Sequence, residues 1–363
     1  MHLASLEVTD FRTVTAAVIE LDPEGTTVIT GDNGVGKTSL LEATAYLATL
    51  QSFRGSPKEA LVRQGAERAV LRAHTEVEGR AITIEAEIVA GGRGRTLVNR
   101  QPVRRRADLH EALRVTIFSP EDIGVVRGGP GERRSFLDDT LSVVDPRTAR
   151  AVEEVEKILR QRAALLRSAG RTLDADAATT LDVWDHRLDE QGTRLVEARE
   201  DLVRRLAPLA ARHYARLAGG EVAVGMTYAR SWDGSLADAL ARSRAGDLAR
   251  GVTSSGPHRD ELELTLAGMP ARTHASQGEQ RSLALALQLA AHELATTTLG
   301  TAPVLLLDDV FSELDPHRSR ALLAGLPPGQ SVLTTAQPAP DEVRASRVYR
   351  VEPGGRLQGG GAP

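Results

Sequence analysis

The sequence predicts an α/β fold that a helical insertion divides into two parts. The β-prone run TTVIT (26–30) leads into the glycine-rich loop GDNGVGKT (31–38) and then an apolar helix. Far along the chain, the apolar run PVLLLDD (303–309) is typical of a buried parallel strand. Between them, from about Pro146 to Leu217, the chain is rich in Arg, Glu, Ala and Leu at helical spacing. These runs predict one α/β domain interrupted by a short arm, a hairpin of two helices.

Shorter runs extend this assignment to the rest of the chain. HLASLEV and AAVIELD precede the loop as strands, residues 69–98 alternate as a strand meander, and VTIFS (115–119) is a further strand. Gly170 marks the end of the first arm helix. After the insertion come the strand ELELTL, a helix over 277–298, and the closing strands SVLTTA and RVYRVE. The predicted parts are residues 1–118 and 250–353 of an α/β head, a helical arm over 119–249, and a flexible tail over 354–363.

Composition limits the compartment and the kind of partner. The chain has 363 residues, a net charge of −4 and no cysteine, which excludes disulfides and thiolate sites. It shows neither a signal peptide nor a transmembrane run, so we expect a cytoplasmic protein without membrane contact. Contact with nucleic acid would require a local basic patch. Arg104, Arg105 and Arg106 form one basic run, which fits either a solvated loop or a contact with DNA phosphates.

The loop at 31–38 predicts a nucleotide site. Its sequence fits G-x-x-x-x-G-K-[ST] between a strand and a helix, where backbone amides and the helix start bind phosphate oxygens. Lys37 would reach the β- and γ-phosphates of ATP, and Thr38 would bind Mg²⁺. The predicted nucleotide-binding residues here are Gly31, Asp32, Asn33, Gly34, Val35, Gly36, Lys37 and Thr38.

Two carboxylates end the apolar strand at 303–309. The carboxyl ends of parallel strands form the sites of α/β proteins. We therefore expect Asp308 to bind Mg²⁺ and Asp309 to orient the attacking water, since phosphoryl transfer depends mainly on positioning and charge neutralisation. An apolar strand that ends in Asp-Asp is also compatible with a merely solvated strand end, and the phosphate-binding loop favours the functional interpretation.

The segment SQGEQ (276–280) has two compatible interpretations. Ser276 followed by Glu279 predicts a capping box at the start of a helix. Ser-x-Gly-x-Gln before a helix is also the form of the signature of ABC-type ATPases, in which Ser276, Gly278 and Gln280 would face the γ-phosphate. SELD (312–315) follows the carboxylates and matches the loop, with Asp315, that lines the dimer seam of those ATPases.

Together these motifs resemble the RecF family of bacterial recombination-repair ATPases. The resemblance rests on FRTV (11–14), FSPEDIGVVRGGPGERRSFLDD (118–139), SSGPHRDELEL (254–264), ASQGEQRSLALALQLA and LLLDDVFSELD. It implies an ABC/SMC-type ATPase head, dimerisation on ATP, and binding to gapped DNA or single-strand/double-strand junctions. It also implies work with RecO and RecR in loading RecA, and an approach of Arg12 to the phosphates.

Three departures from the ABC pattern bear on activity. Asp309 stands where transporter ATPases usually have Glu, so we expect weak hydrolysis that serves as a switch. We also expect DNA to stimulate it. Ala336 and Gln337 follow a closing strand where a histidine is usual, and Glu121 and Asp122 occupy the region of the glutamine loop. An alternative is an ABC-type subunit coupled to another partner such as a transporter. Those subunits place loop and signature much closer together than the 240 or so residues found here. A scaffold that binds ATP without hydrolysing it also stays open.

Overall fold

The computed structural model describes residues 1–105, 107–169, 174–326, 328–337 and 343–359. They form two compact units, of which the first contains Met1–Asp122, His213–Gly220 and the chain from Leu285 onward. The second contains Ile123–Arg212 and Glu221–Ala284. The first boundary lies close to the predicted one at 118. Residues 250–284, however, which the sequence analysis assigns to the head, belong to the second unit.

Fifteen described strands make up three sheets. The strands are β1 (His2–Phe11), β2 (Val14–Glu20), β3 (Thr26–Thr30), β4 (Arg68–Val77), β5 (Arg80–Val89), β6 (Arg95–Val98), β7 (Gln101–Pro102), β8 (Val115–Phe118), β9 (Val224–Ala229), β10 (Glu261–Leu266), β11 (Met269–Pro270), β12 (Val304–Asp308), β13 (Ser331–Thr335), β14 (Ala345–Glu352) and β15 (Arg356–Gly359).

The described α-helices number ten, and two of them run from one unit into the other. They are α1 (Lys37–Thr49), α2 (Ala107–Ala112), α3 (Gly124–Arg127), α4 (Pro130–Val144), α5 (Pro146–Ala169), α6 (Ala175–Ala218), α7 (Leu236–Arg250), α8 (Ala271–His274), α9 (Gln277–Leu299) and α10 (Pro316–Gly325). Both α6 and α9 contribute residues to each unit. No helix in the described part of the chain is long and apolar enough to cross a membrane.

One sheet of the first unit carries the phosphate-binding loop. Its strand order is β15-β14-β3-β13-β12-β8, and β12 pairs in parallel with both β13 and β8. All of Val304–Leu307 in β12 is buried, as the prediction of a buried parallel strand requires. Because β3, β12 and β13 run parallel, their carboxyl ends meet at one edge of the sheet.

The end of the chain differs from the predicted flexible tail. Residues 356–359 form β15, which pairs antiparallel with β14. Gly354 and Gly355 have φ values of +81° and +78° and form the tight turn between the two strands. The prediction of a flexible tail is therefore wrong for these four residues, because adjacent glycines permit a hairpin as readily as a flexible end.

The second sheet of the first unit is antiparallel. Its order β2-β1-β4-β5-β6-β7 confirms the predicted strand meander over residues 69–98. On β4, Leu71 and Ala73 are fully buried, whereas the intervening Arg72 faces partly outward. This alternation gives the sheet one apolar face. That face and helix α1, through Leu40 and Leu47, contribute to a single apolar core.

The second unit contains the predicted helical hairpin. Helices α5 and α6 have 24 and 44 residues, so α6 is about 66 Å long at 1.5 Å per residue. The predicted end at Gly170 and the Arg106 of the basic run lie outside the described residues. The segment 119–249 is not wholly helical, since β9 lies within it and pairs with β10. The run VGMTYA has little alternation, and its strand character depends on this distant partner.

A buried arginine joins the helices of the second unit. The guanidinium of Arg162 is fully buried and donates to Asp185 at 2.7 Å, to Asp247 at 2.9 Å and to the hydroxyl of Thr253 at 2.9 Å. Asp247 is itself fully buried and also accepts from the amide of Ser254. The removal of the arginine would leave this buried carboxylate with only the exposed Arg250, 3.9 Å away, as a counter-charge.

We predict that Arg162→Ala lowers the free energy of unfolding by about 3–5 kcal/mol, because the buried Asp247 loses the guanidinium that contacts it at 2.9 Å and keeps only the distant, exposed Arg250. Urea denaturation followed by circular dichroism measures this. Arg160, two residues earlier, is 68% exposed and serves as the matched control. Arg160→Ala should change the free energy by no more than about 0.5 kcal/mol. Equal losses in the two variants would contradict the assigned role of the buried network.

Candidate nucleotide-binding site

The loop 31–38 joins β3 to α1 and depends on its glycines. Gly31, Gly34 and Gly36 have φ values of +147°, +82° and +117°, which other residues adopt only with strain. A Cβ on Gly31 would lie 2.6 Å from the carbonyl oxygen of Val351. Helix α1 begins at Lys37 without a side-chain cap and without an acidic residue in its first turn. Its first amides are therefore available to an anion.

Lys37 lies against the loop that precedes it. Its Nζ donates to the carbonyl oxygens of Gly31 at 2.8 Å and Asp32 at 2.9 Å, and the residue is 7% exposed. Burial lowers the pKa of this ammonium, while the carboxylates of Asp309, Asp308 and Asp32 oppose that change. The lysine thus lies near both carboxylates that the sequence predicts for the site.

Asp308 connects the loop helix to two strands. Its Oδ1 accepts from the hydroxyl of Thr38 at 2.9 Å and from that of Thr334 at 2.6 Å. The residue is 4% exposed, and burial raises the pKa of its carboxyl, with Glu121 and Asp309 raising it further and the two threonine hydroxyls opposing the rise. The structure therefore brings together Thr38 and Asp308, the two residues predicted to bind a metal.

Asp309 has a strained backbone and an unpaired oxygen. Its φ is +47°, and its amide donates to both the carbonyl and the hydroxyl of Thr334, each at 3.1 Å. Among the described residues, its buried Oδ1 has no hydrogen-bond partner. An unsatisfied buried carboxylate oxygen is costly unless a cation or a water meets it.

These oxygens fit a magnesium ion that a nucleotide brings with it. The described residues contain no group of three or more His, Cys, Asp or Glu that would bind a metal alone. Mg²⁺ prefers oxygen ligands and is usually held by one or two carboxylates together with substrate phosphates. Thr38 and Asp308 supply the hydroxyl and the carboxylate of such a set.

Arg12 is bound to α1 instead of reaching the loop. Its Nε and Nη2 donate to the two carboxylate oxygens of Glu42 at 2.8 and 2.6 Å, Nη2 also donates to Ser56, and Nη1 donates to the carbonyl of Ala60. Glu42 is fully buried. The proposed approach of Arg12 to the phosphates would require this bidentate pair to open.

The signature residues form a capped helix start in the second unit. The Ser276 amide donates to the Glu279 carboxylate at 2.7 Å, and the Glu279 amide donates to the Ser276 hydroxyl at 3.3 Å. This confirms the predicted capping box. Gln280 is buried and donates to the carbonyls of residues 271 and 272, and the carbonyl of Gly278 accepts from Ser282. Gln280 thus has a structural role at this helix start.

Asp315 caps α10 in the first unit. Its side chain accepts from the amide of Arg318 at 2.9 Å, and this bond lowers the pKa of the carboxyl. The position without the usual histidine, after β13, is a turn in which the Gln337 amide donates to the hydroxyl of Thr335 at 3.1 Å.

Sequence reasoning missed Thr334 and Glu42 in this region, and it named Glu121 only as a residue in the place of the glutamine loop. Thr334 donates its hydroxyl to the Asp308 carboxylate and accepts from the Asp309 amide, and its only sequence signal is its place near the end of a predicted strand. Glu121 is half-exposed, lies 3.7 Å from Arg54 and raises the pKa of Asp308. Glu42 has a clearer signal, since it is the one acidic residue in the apolar run KTSLLEATAYLATL.

Comparison with known proteins identifies related chains. Residues 2–332 match the family described as RecF/RecN/SMC N terminal domain. A DNA replication and repair protein RecF from Acidothermus cellulolyticus is 42% identical over 365 residues, which cover 97% of this chain and 98% of that protein. A solved structure described as the recombination mediator protein RecF-ATP in the RecFOR pathway has a TM-score of 0.89 at 28% identity, over 99% of this chain and 97% of that one. The Smc head domain of Pyrococcus furiosus, at 16% identity and a TM-score of 0.57, covers 99% of this chain and 96% of its own. The predicted ABC/SMC-type head is therefore confirmed.

We predict that Asp308→Asn separates stability from nucleotide binding. The folded-state pKa of Asp308 is raised, so its carboxylate contributes less stability as the pH rises above the unfolded-state pKa. At pH 7 the neutral amide should therefore raise the melting temperature of the nucleotide-free protein. Binding of ATP with Mg²⁺ should weaken at least about tenfold, since a metal ligand is lost. Calorimetric melting and titration with a fluorescent ATP analogue measure the two effects. A lower melting temperature with unchanged ATP affinity would contradict the assignment.

Proposed function

The chain belongs to the RecF family, and from this premise we propose that it is an ATP-dependent DNA-binding protein of recombinational repair and replication restart. The observation that carries the proposal is the Asp308 carboxylate, which holds Thr38 at the start of α1 and Thr334 at the end of β13. This bridging carboxylate favours a nucleotide and its metal at the carboxyl ends of the parallel strands, where α/β proteins bind ligands.

We assign the nucleotide chemistry to residues of this edge. The loop amides and Lys37 bind the phosphates of ATP, and Thr38 and Asp308 hold Mg²⁺. When bound, the metal neutralises charge on the phosphate oxygens. Asp309 positions and polarises the attacking water through its unpaired Oδ1. In these roles Lys37 exchanges the carbonyl oxygens of Gly31 and Asp32 for phosphate oxygens.

Hydrolysis in this proposal is weak and is stimulated by DNA. Asp309 is one methylene shorter than the glutamate usual at this position in transporter ATPases. Its backbone is also held at a φ of +47° by two hydrogen bonds to Thr334. A short, fixed carboxylate reaches less far toward a water above the γ-phosphate. ATP therefore acts as a switch between two states.

The switch we propose is dimerisation. Ser276 and Gly278 of one copy would meet the γ-phosphate bound by the loop of a second copy, with Asp315 at the seam. A ligand that binds only the dimer, at 100 times its Kd, stabilises it by about 2.7 kcal/mol per site and about 5 kcal/mol for two sites. Since monomers also bind ATP, only the difference in affinity between the two states counts.

The partners we propose are gapped DNA or single-strand/double-strand junctions, RecO and RecR, with RecA loading as the outcome. The support is the family of the chain and the solved RecF relative, which is described as a mediator in the RecFOR pathway. The transporter-coupled alternative finds no support in these relatives, since the alignment to a replication and repair protein covers 97% of the chain.

Ser276→Arg tests the dimer. We expect the monomer to bind ATP with wild-type affinity and ATP-induced dimerisation to be lost. The bulky arginine side chain would fill the space in which Ser276 is proposed to meet the γ-phosphate of the second copy. Sedimentation velocity with and without ATP measures this. Ser235 caps α7 in the same unit by accepting from the Asp238 amide, so Ser235→Arg is the matched control and should dimerise normally. Wild-type dimerisation of Ser276→Arg would refute the composite site.

A DNA titration tests the function itself. Affinity for gapped DNA should rise at least about tenfold with ATP and fall as salt increases, as expected when phosphate contacts release counterions. Fluorescence anisotropy with labelled gapped DNA, with and without ATP, measures both. Lys37→Ala is the control that should lose the ATP response. Binding that is absent, or independent of both ATP and salt, would refute the proposal.

A further inference from the structure

One segment of the first unit is basic in an otherwise slightly acidic chain. Residues 88–107 contain six arginines and no Asp or Glu, while the whole chain averages about 2.5 basic residues in 20 and has a net charge of −4. Five of these arginines lie in the described part of the chain and are exposed. We call this group the arginine edge, and its members are Arg93, Arg95, Arg100, Arg104 and Arg105.

The arginine edge lies on the β6–β7 hairpin and the segments that flank it, and β7 is the last strand of its sheet. Leu97 pairs with Pro102 and Val98 with Gln101, and the amide of Val103 continues the register by donating to the carbonyl of Thr96 at 3.0 Å. Continued by one residue beyond this bond, the register would place Arg104 opposite Arg95. Like charges on opposite strands destabilise a hairpin, so local stability does not explain the pair.

The turn of the same hairpin carries a second unfavourable feature. Asn99 and Arg100 have φ values of +48° and +64°, the geometry of a type I′ turn. Glycine is strongly preferred at the second of these positions, and an arginine there is strained. Asn99 has a structural role in the turn, because its Oδ1 accepts from the amide of Thr83 at 2.9 Å. Within the described part of the chain, the Arg100 side chain makes no hydrogen bond or ion pair that would give it such a role.

Few carboxylates neutralise this charge. Glu87 pairs with Arg95 at 2.8 Å and is shared with Arg68. Asp108 accepts from the backbone amide of Arg105 at 3.2 Å. Within the described residues, the other members of the arginine edge form no salt bridge. The arginine edge therefore keeps most of its positive charge.

The residue types in and around the arginine edge indicate which ligand it suits. Arginine presents a planar fork of donors that suits phosphate oxygens. Residues 88–107 contain no aromatic side chain. Stacking on aromatic side chains is how proteins commonly hold single strands, so its absence favours contact with the backbone of a duplex. Four residues of strand separate the two ends of the hairpin by about 13 Å, close to the ~12 Å width of the major groove of B-DNA.

We propose that the arginine edge binds the phosphate backbone of duplex DNA, a role that rests on the proposed function and adds the contact surface to it. Arg93 and Arg104 at one end of the hairpin and Arg100 at the other reach the two phosphate rows that border a groove. The contact is independent of base sequence, since phosphate contacts carry no sequence information directly.

A triple variant, Arg93→Ala, Arg100→Gly and Arg104→Ala, tests the surface. The glycine relieves the strained turn, so the melting temperature should be unchanged or higher, and ATP binding should be unchanged. With ATP, affinity for a fluorescent duplex should fall at least about tenfold at about 100 mM salt. The slope of log affinity against log salt should fall by roughly 1 for each arginine removed.

The matched control removes three exposed arginines elsewhere: Arg160, Arg194 and Arg216, each changed to Ala. It should bind duplex within about twofold of the wild type. If the wild type binds duplex and the triple variant binds it with the same affinity and salt slope, the arginine edge is refuted while the proposed function stands. If the wild type binds no DNA with ATP, both fail. Equal losses in the triple variant and the control would show a nonspecific charge effect and also refute the arginine edge. Loss of binding to anionic phospholipid vesicles, with unchanged binding to duplex, would assign the surface to membranes instead.

Discussion

The carboxylate of Asp308 is the constraint on which the site depends. Strand β13 lies between the loop strand β3 and β12, so the loop and the acidic strand end are not direct neighbours in the sheet. One carboxylate oxygen bridges this separation by accepting from Thr38 on α1 and Thr334 on β13. Burial raises the pKa of this group, so the arrangement works against folding at neutral pH. The ionised Asp308 carboxylate is thus unfavourable in the free protein, and a cation bound at this edge of the sheet would make it favourable.

The starts of α1 and α9 are both assigned to phosphate, but they differ in whether a side chain already binds their backbone amides. Helix α1 begins with no side-chain cap and no acid in its first turn, so its amides are open to an anion. Helix α9 begins with a complete capping box, in which Glu279 accepts from the Ser276 amide. In the described structure, no side-chain cap competes with a phosphate at α1. A phosphate at α9 meets a carboxylate that already complements the helix dipole.

Local sequence patterns predicted most helices and strands, whereas other strands and contacts depend on residues far away in the chain. Apolar runs and the glycine loop identified β3, α1, β12 and the hairpin helices because burial and backbone conformation leave direct marks in sequence. The pairing of β9 with β10, and of β15 with β14, depends on partners that no short pattern encodes. Within the site, the loop glycines and both aspartates were identifiable. The attachment of Arg12 to Glu42 was not, because an arginine that holds a buried glutamate and one that reaches a phosphate look alike in sequence.

The contrast between the helix starts bears on why ATP would act as a switch. If the α9 start bound phosphate unaided, a single copy would gain from it and dimerisation would add little. Because Glu279 opposes a second anion there, the gain from α9 is small in each site taken alone. It would become decisive only when a second copy brings against it a phosphate already held by that copy's α1 and metal, with two such sites forming at once. A weak second contact makes ATP binding and dimerisation depend on each other, whereas a strong one would let them occur separately.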